Sequence, residues 1–66
     1  MLVTKRIDLF KAIRRHAQEQ GAEMRVVEGG NHTRVWVGER YTTIPRHREI
    51  DDKVARGILR QIGVRR

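Results

Sequence analysis

Two stretches of helical apolar spacing bracket a stretch whose period drops to two, and this change of period constrains the fold most. From Lys5 to Gln20, the apolar positions Ile7, Phe10, Ile13 and Ala17 recur every three or four residues, with Leu9 beside them. That is the spacing of one face of an α-helix, in which each residue turns about 100°. Thr4 is placed to cap this helix and Gly21 to stop it. Ala22–Glu28 then alternates, with Met24 and Val26 set against Arg25 and Val27. Gly29-Gly30-Asn31 breaks the alternation, and His32–Val37 resumes it. Gly38-Glu39 makes a short turn, and Arg40–Ile44 is a third strand that Pro45 ends. From Ile50 to Ile62 the helical period returns, with Ile50, Val54, Ile58 and Ile62 at every fourth position and Ala55 and Leu59 alongside. Asp51 and Asp52 suit its first turn, and Gly63 closes it.

Tight connections between consecutive strands predict an antiparallel meander, and its apolar face needs a cover. The expectation is an α+β chain of order α-β-β-β-α. Its two helices lie on one face of a three-stranded antiparallel sheet, and residues 1–66 form one domain. In its core, Met24, Val26, Val35, Val37 and Ile44 meet Ile7, Phe10, Ile13, Val54, Ile58 and Ile62. By alternation, His32, Arg34 and Trp36 share the other face of the second strand.

Size and composition exclude several classes. At 66 residues there is no room for a cleft between domains, and only roughly 60% of the unfolded surface is buried by a chain this size. Cysteine is absent, which removes disulfides and thiolate metal sites. The three histidines and eight carboxylates show no metal-ligand spacing, so no metal and no cofactor is expected. No apolar run approaches the roughly 20 residues of a membrane span, and MLVTKR lacks the apolar core of a signal peptide. The expected compartment is the cytoplasm.

Charge points to partners. Fifteen Lys and Arg oppose eight Asp and Glu, for a net charge of +7, and Arg grips phosphate bidentately and stacks on bases. Residues 1–22 carry five cations and two acids, residues 23–45 three of each, and residues 46–66 seven cations and three acids. The helices and the loop after Pro45 are therefore the basic parts, as in a nucleic-acid binder, though acidic proteins and anionic membranes attract the same charge.

Two segments could carry chemistry. In Gly29-Gly30-Asn31-His32 the glycines allow positive φ and close approach to a ligand. His32 then starts a strand with the side chain that takes and returns a proton near neutrality. The plainer reading is a turn followed by a strand-edge histidine. In Thr43-Ile44-Pro45-Arg46-His47-Arg48, two arginines and a histidine precede a helix, either as a solvated connector or as a phosphate grip beside His32. His16 reads as a surface or capping residue. Trp36 beside Arg34 suits base stacking or a protein interface, since a two-layer chain has nothing of its own to cover that face.

The order α-β-β-β-α resembles the double-stranded-RNA-binding fold. The motifs are similar to those of one family with that fold, the HicA-type (YcfA-like) mRNA interferase toxins. The family carries Gly-Ser-His at the start of its second strand, and Gly30-Asn31-His32 stands there. Its third strand ends in Pro-x-His, as does Thr42-Thr43-Ile44-Pro45-Arg46-His47. Its last helix ends Ile-Leu-Lys-Gln-Ala-Gly-Leu, close to Ile58-Leu59-Arg60-Gln61-Ile62-Gly63-Val64. The chain departs from the pattern with Asn31 for the usual Ser, and with Lys53-Val54-Ala55 where Gly-Thr-Leu is common.

The resemblance implies a metal-independent endoribonuclease acting on mRNA and held by a HicB-type antitoxin. His32 would be its base, and Gly30, Asn31, Arg34, Arg46, His47 and Arg48 would surround the RNA. His47 is a candidate acid by its place alone. Two other classes fit the charge and the open face: a silent RNA-binding module of the same fold, and a protein-binding adaptor.

Overall fold

A computed structural model describes residues 3–64. The elements run β1 (Val3–Lys5), α1 (Arg6–Gln20), β2 (Met24–Glu28), β3 (His32–Val37), β4 (Arg40–Pro45), β5 (Glu49–Asp51) and α2 (Asp52–Gln61). β2, β3 and β4 form the antiparallel meander, with β3 in the centre. Its inner face and the two helices enclose one core of Leu9, Ile13, Ala17, Val35, Val37, Ile44, Ala55, Ile58, Leu59 and Ile62, joined by Ile50. The expected helix-on-sheet architecture is thus present, with both helices on one face.

The stops are local chemistry. α1 ends at Gly21, which takes φ 63°, and the Ala22 amide turns back to the Ala17 carbonyl at 2.9 Å. α2 ends the same way at Gly63, with φ 98° and the Val64 amide on the Leu59 carbonyl at 2.9 Å. Inner ladder positions alternate as β-structure requires, so Thr33 and Thr42 are buried beside the valines. Each hydroxyl is satisfied: Thr42 donates to Gln61 Oε1 at 2.6 Å, and Thr33 to Glu28 Oε1 at 2.6 Å.

Four expectations need correction. First, the chain also forms a two-stranded ribbon, in which β1 pairs antiparallel with β5 and Thr4 faces Ile50. Ile50 is therefore a buried strand residue and does not lie on α2. Thr4 caps nothing: the residue before α1 is Lys5, and the Thr4 hydroxyl instead donates to Asp52 Oδ1 at 3.2 Å. Asp51 takes the cap of α2, accepting from the Lys53 amide at 2.8 Å.

Second, the helices are rotated from the expected phase. Leu9, Ile13 and Ala17 make the inner stripe of α1, while Ile7 is 62% exposed. Six residues separate Ile7 from Ile13, which places them about 120° apart around the helix. On α2 the stripe centres between Ala55 and Ile62, which puts Val54 about 90° to one side, and it is 47% exposed. Third, Val26 faces inward opposite Val35 but lies on the edge strand, where the cover ends, and is 47% exposed. Met24 and Phe10 pack against the core only in part. Fourth, neither Gly29 nor Gly30 takes a positive φ.

Candidate nucleic-acid interface

His32 is placed by the two turns that flank the start of β3. Its cross-strand partner is Pro45, and it stands exposed on the outer face of the sheet. The Gly29 amide donates to the His32 carbonyl at 2.9 Å and closes the β2–β3 turn. A side chain at Gly29 would bring its Cβ to 2.8 Å from that carbonyl oxygen, so this position requires glycine for close approach. Gly30 has open space around it, and Gly30 and Asn31 are exposed at the tip.

Beside His32 is an open groove between the end of the sheet and α2. It is lined by Thr43, Pro45, Val54, Gly57, Ile58 and Gln61. Val54, Gly57, Ile58 and Gln61 are its α2 wall, and of these Val54 and Gly57 do not serve the core. Among the described residues, no group of three or more His, Asp or Glu side chains comes together as a metal would need. No helix among them is long and apolar enough to cross a membrane.

On the inner side of the same corner lies a polar network that periodicity does not reveal. Arg6, the first residue of α1, donates to Thr33 Oγ1 at 2.6 Å and to the Pro45 carbonyl at 3.1 Å. Its amide also donates to the Arg48 carbonyl at 2.8 Å. Glu28 accepts from Thr33 through one oxygen and pairs with Arg46 through the other at 3.3 Å. Arg46 also donates to the Gly29 carbonyl. One arginine thus holds both the start of β3 and the loop after β4, and a second ties that loop to the glycine turn. The Arg46–Glu28 pair is half-exposed, so its worth is positional more than energetic.

The sequence-predicted residues therefore divide. His32 and the Pro45–Arg48 loop are brought together, with Arg46, His47 and Arg48 all exposed. Arg46 is engaged by Glu28, whereas among the described residues the bond of Arg48 is made by its backbone carbonyl. Arg34 lies on the outer face, opposite Thr43 and one row from His32. Arg6, Glu28 and Thr33 were missed. Their one legible signal is topological: the end of β2 and the end of β4 both lie beside the start of β3.

Beyond His32 and Arg34, the outer face carries the exposed Val27 opposite Arg34 and an aromatic and basic row. Arg25, Trp36 and Tyr41 form one row across the three strands. The Trp36 and Tyr41 ring centroids are 4.9 Å apart with planes tilted by 42°, and the Arg25 guanidinium sits 5.1 Å from the Trp36 centroid.

No family model matches the chain, and no solved structure matches it. Over 54 residues it is 39% identical to a curated protein of Photorhabdus laumondii subsp. laumondii named "Probable mRNA interferase HicA 2", an alignment that covers 79% of this chain and 90% of that protein. With that coverage, and with a helix-covered meander that presents Gly30-Asn31-His32 at the head of its second meander strand, the chain belongs to the HicA family of mRNA interferases.

Proposed function

We propose that this chain is the toxin of a toxin–antitoxin pair, an endoribonuclease that cleaves mRNA with His32 as its base. The observation that carries this reading is the position of His32. It is exposed, fixed at the start of a central strand, and bordered by an open groove and a basic loop. In the proposed reaction, the imidazole takes the proton of a ribose 2′-OH. The oxygen attacks the adjacent phosphorus, the P–O5′ bond breaks, and the products are a 2′,3′-cyclic phosphate and a free 5′-OH. The reaction consumes no metal and no cofactor. In this reading Arg48 and Arg34 neutralise the charge that grows on the phosphorane oxygens. His47, two residues beyond the cross-strand partner of His32, is the candidate donor to the leaving 5′-oxygen. A HicB-type antitoxin with carboxylates over this surface is the fitting protein partner.

The test is incubation of purified protein with RNA in EDTA, followed by identification of the product ends. Cyclic phosphate and 5′-OH ends are expected. His32→Ala should lower the rate by about 10²–10⁴-fold and keep its melting temperature within a few degrees. A variant that cleaves at the parental rate removes His32 from the chemistry. RNA that is bound but left intact by the parental protein identifies a silent binding module instead.

A further inference from the structure

The row formed by Arg25, Trp36 and Tyr41 has no part in the core or in the network behind His32. It lies on the face opposite the helices, and among the described residues the ladder positions of that face carry Arg25 and Arg34 and no carboxylate. Tyr41 is 45% exposed and Trp36 half-buried, so aromatic surface is presented to solvent beside two cations. From Trp36 the strand leads through Arg34 to His32, four residues and about 13 Å away. Two aromatic rings and a guanidinium group thus form a row across the sheet, and from its centre Arg34 and the proposed base follow along β3.

We propose that this outer sheet face is the track for single-stranded RNA. A base stacks on the Trp36–Tyr41 pair, Arg25 and Arg34 meet the phosphates beside it, and the chain runs along β3 to bring its scissile phosphate to His32. The inference rests on the nuclease reading for that last step only. Charge complementarity selects a polyanion. The aromatic rings select unpaired bases over duplex, because only an unpaired base offers its flat face.

Trp36 is the sole tryptophan of the chain, so its fluorescence reports the face directly. The probe is a 2′-O-methyl oligouridine, which lacks the attacking hydroxyl and stays intact. Saturable quenching of Trp36 on titration is expected. By anisotropy of a labelled copy of the same probe, Trp36→Ala should bind about 5- to 150-fold more weakly, while Trp36→Phe keeps most of the affinity. Circular dichroism checks that both variants fold. On cleavable, unstructured RNA, Trp36→Ala should raise KM and leave kcat unchanged.

Binding without any change in Trp36 fluorescence overturns the track, as does equal affinity in Trp36→Ala. Fluorescence that responds to an acidic peptide and not to the oligonucleotide also overturns it and assigns the face to a protein partner. The two readings fail separately. Quenching with no cleavage of unmodified RNA keeps the track and removes the nuclease, whereas cleavage with a silent Trp36 keeps the nuclease and removes the track.

Discussion

Gly29→Ala and Gly30→Ala change neighbouring residues in the same way and are expected to have opposite outcomes. At Gly29 the new Cβ meets the His32 carbonyl oxygen at 2.8 Å, against 3.4–4 Å for ordinary contact. The obstacle is backbone, so it cannot swing aside as a side-chain tip would. Either the turn opens, breaking the 2.9 Å bond from the Gly29 amide to His32, or β3 shifts at its first residue. Overpacking of this kind costs about 1–3 kcal/mol. At about 4–8 °C per kcal/mol for a chain this size, a mid-range 2 kcal/mol lowers the melting temperature by roughly 8–16 °C. The shift displaces His32 itself, so RNA cleavage should fall beyond what the unfolded fraction explains. At Gly30 nothing lies within 4 Å of the added Cβ, and φ is not positive. There alanine should leave stability unchanged or raise it by about 0.4–1 kcal/mol by narrowing the unfolded ensemble. Thermal unfolding followed by circular dichroism, with cleavage rates at a temperature where both variants are folded, makes the comparison. Equal melting temperatures for the two variants refute the close-approach argument.

Two further predictions separate residues that look alike in the sequence. Ile58→Ala should cost about 2–5 kcal/mol in chemical denaturation, whereas Val54→Ala, at a half-exposed position, should cost about 1 kcal/mol or less; similar costs would place Val54 in the core after all. Arg48→Gln should lower the slope of log affinity against log salt by about 0.7–0.9 without loss of stability. Arg46→Glu should weaken RNA binding and also lower the melting temperature, because it sets two carboxylates together at Glu28. An unchanged salt slope in Arg48→Gln removes that residue from the RNA contacts.

Much of the frame was legible along the chain. The stops at Gly21 and Gly63, the two-residue turn at Gly38-Glu39 and the strand His32–Val37 follow from backbone preferences within a few residues. Alternation also placed His32, Arg34 and Trp36 on one face and so marked the open surface, while the histidine was nominated by its glycine lead-in and by the resemblance to the HicA motifs. Helix phase was not legible. Ile7 and Leu9 on α1 both fit an apolar spacing, and only the surface they pack against chose Leu9. The same holds for Val54 against Leu59. The β1–β5 ribbon left no trace, because three residues carry no measurable period and the partners Val3 and Asp51 are 48 positions apart. Nor did the polar corner: Arg6, Glu28, Thr33 and Arg46 come from four elements or loops, the first three read alone as ordinary surface or strand residues, and Arg46 was legible only as a phosphate contact and not as the partner of Glu28. Periodicity is a property of neighbouring residues and survives in the sequence. The side that each element buries, and the partners its polar groups find, depend on surfaces that exist only once the chain has folded.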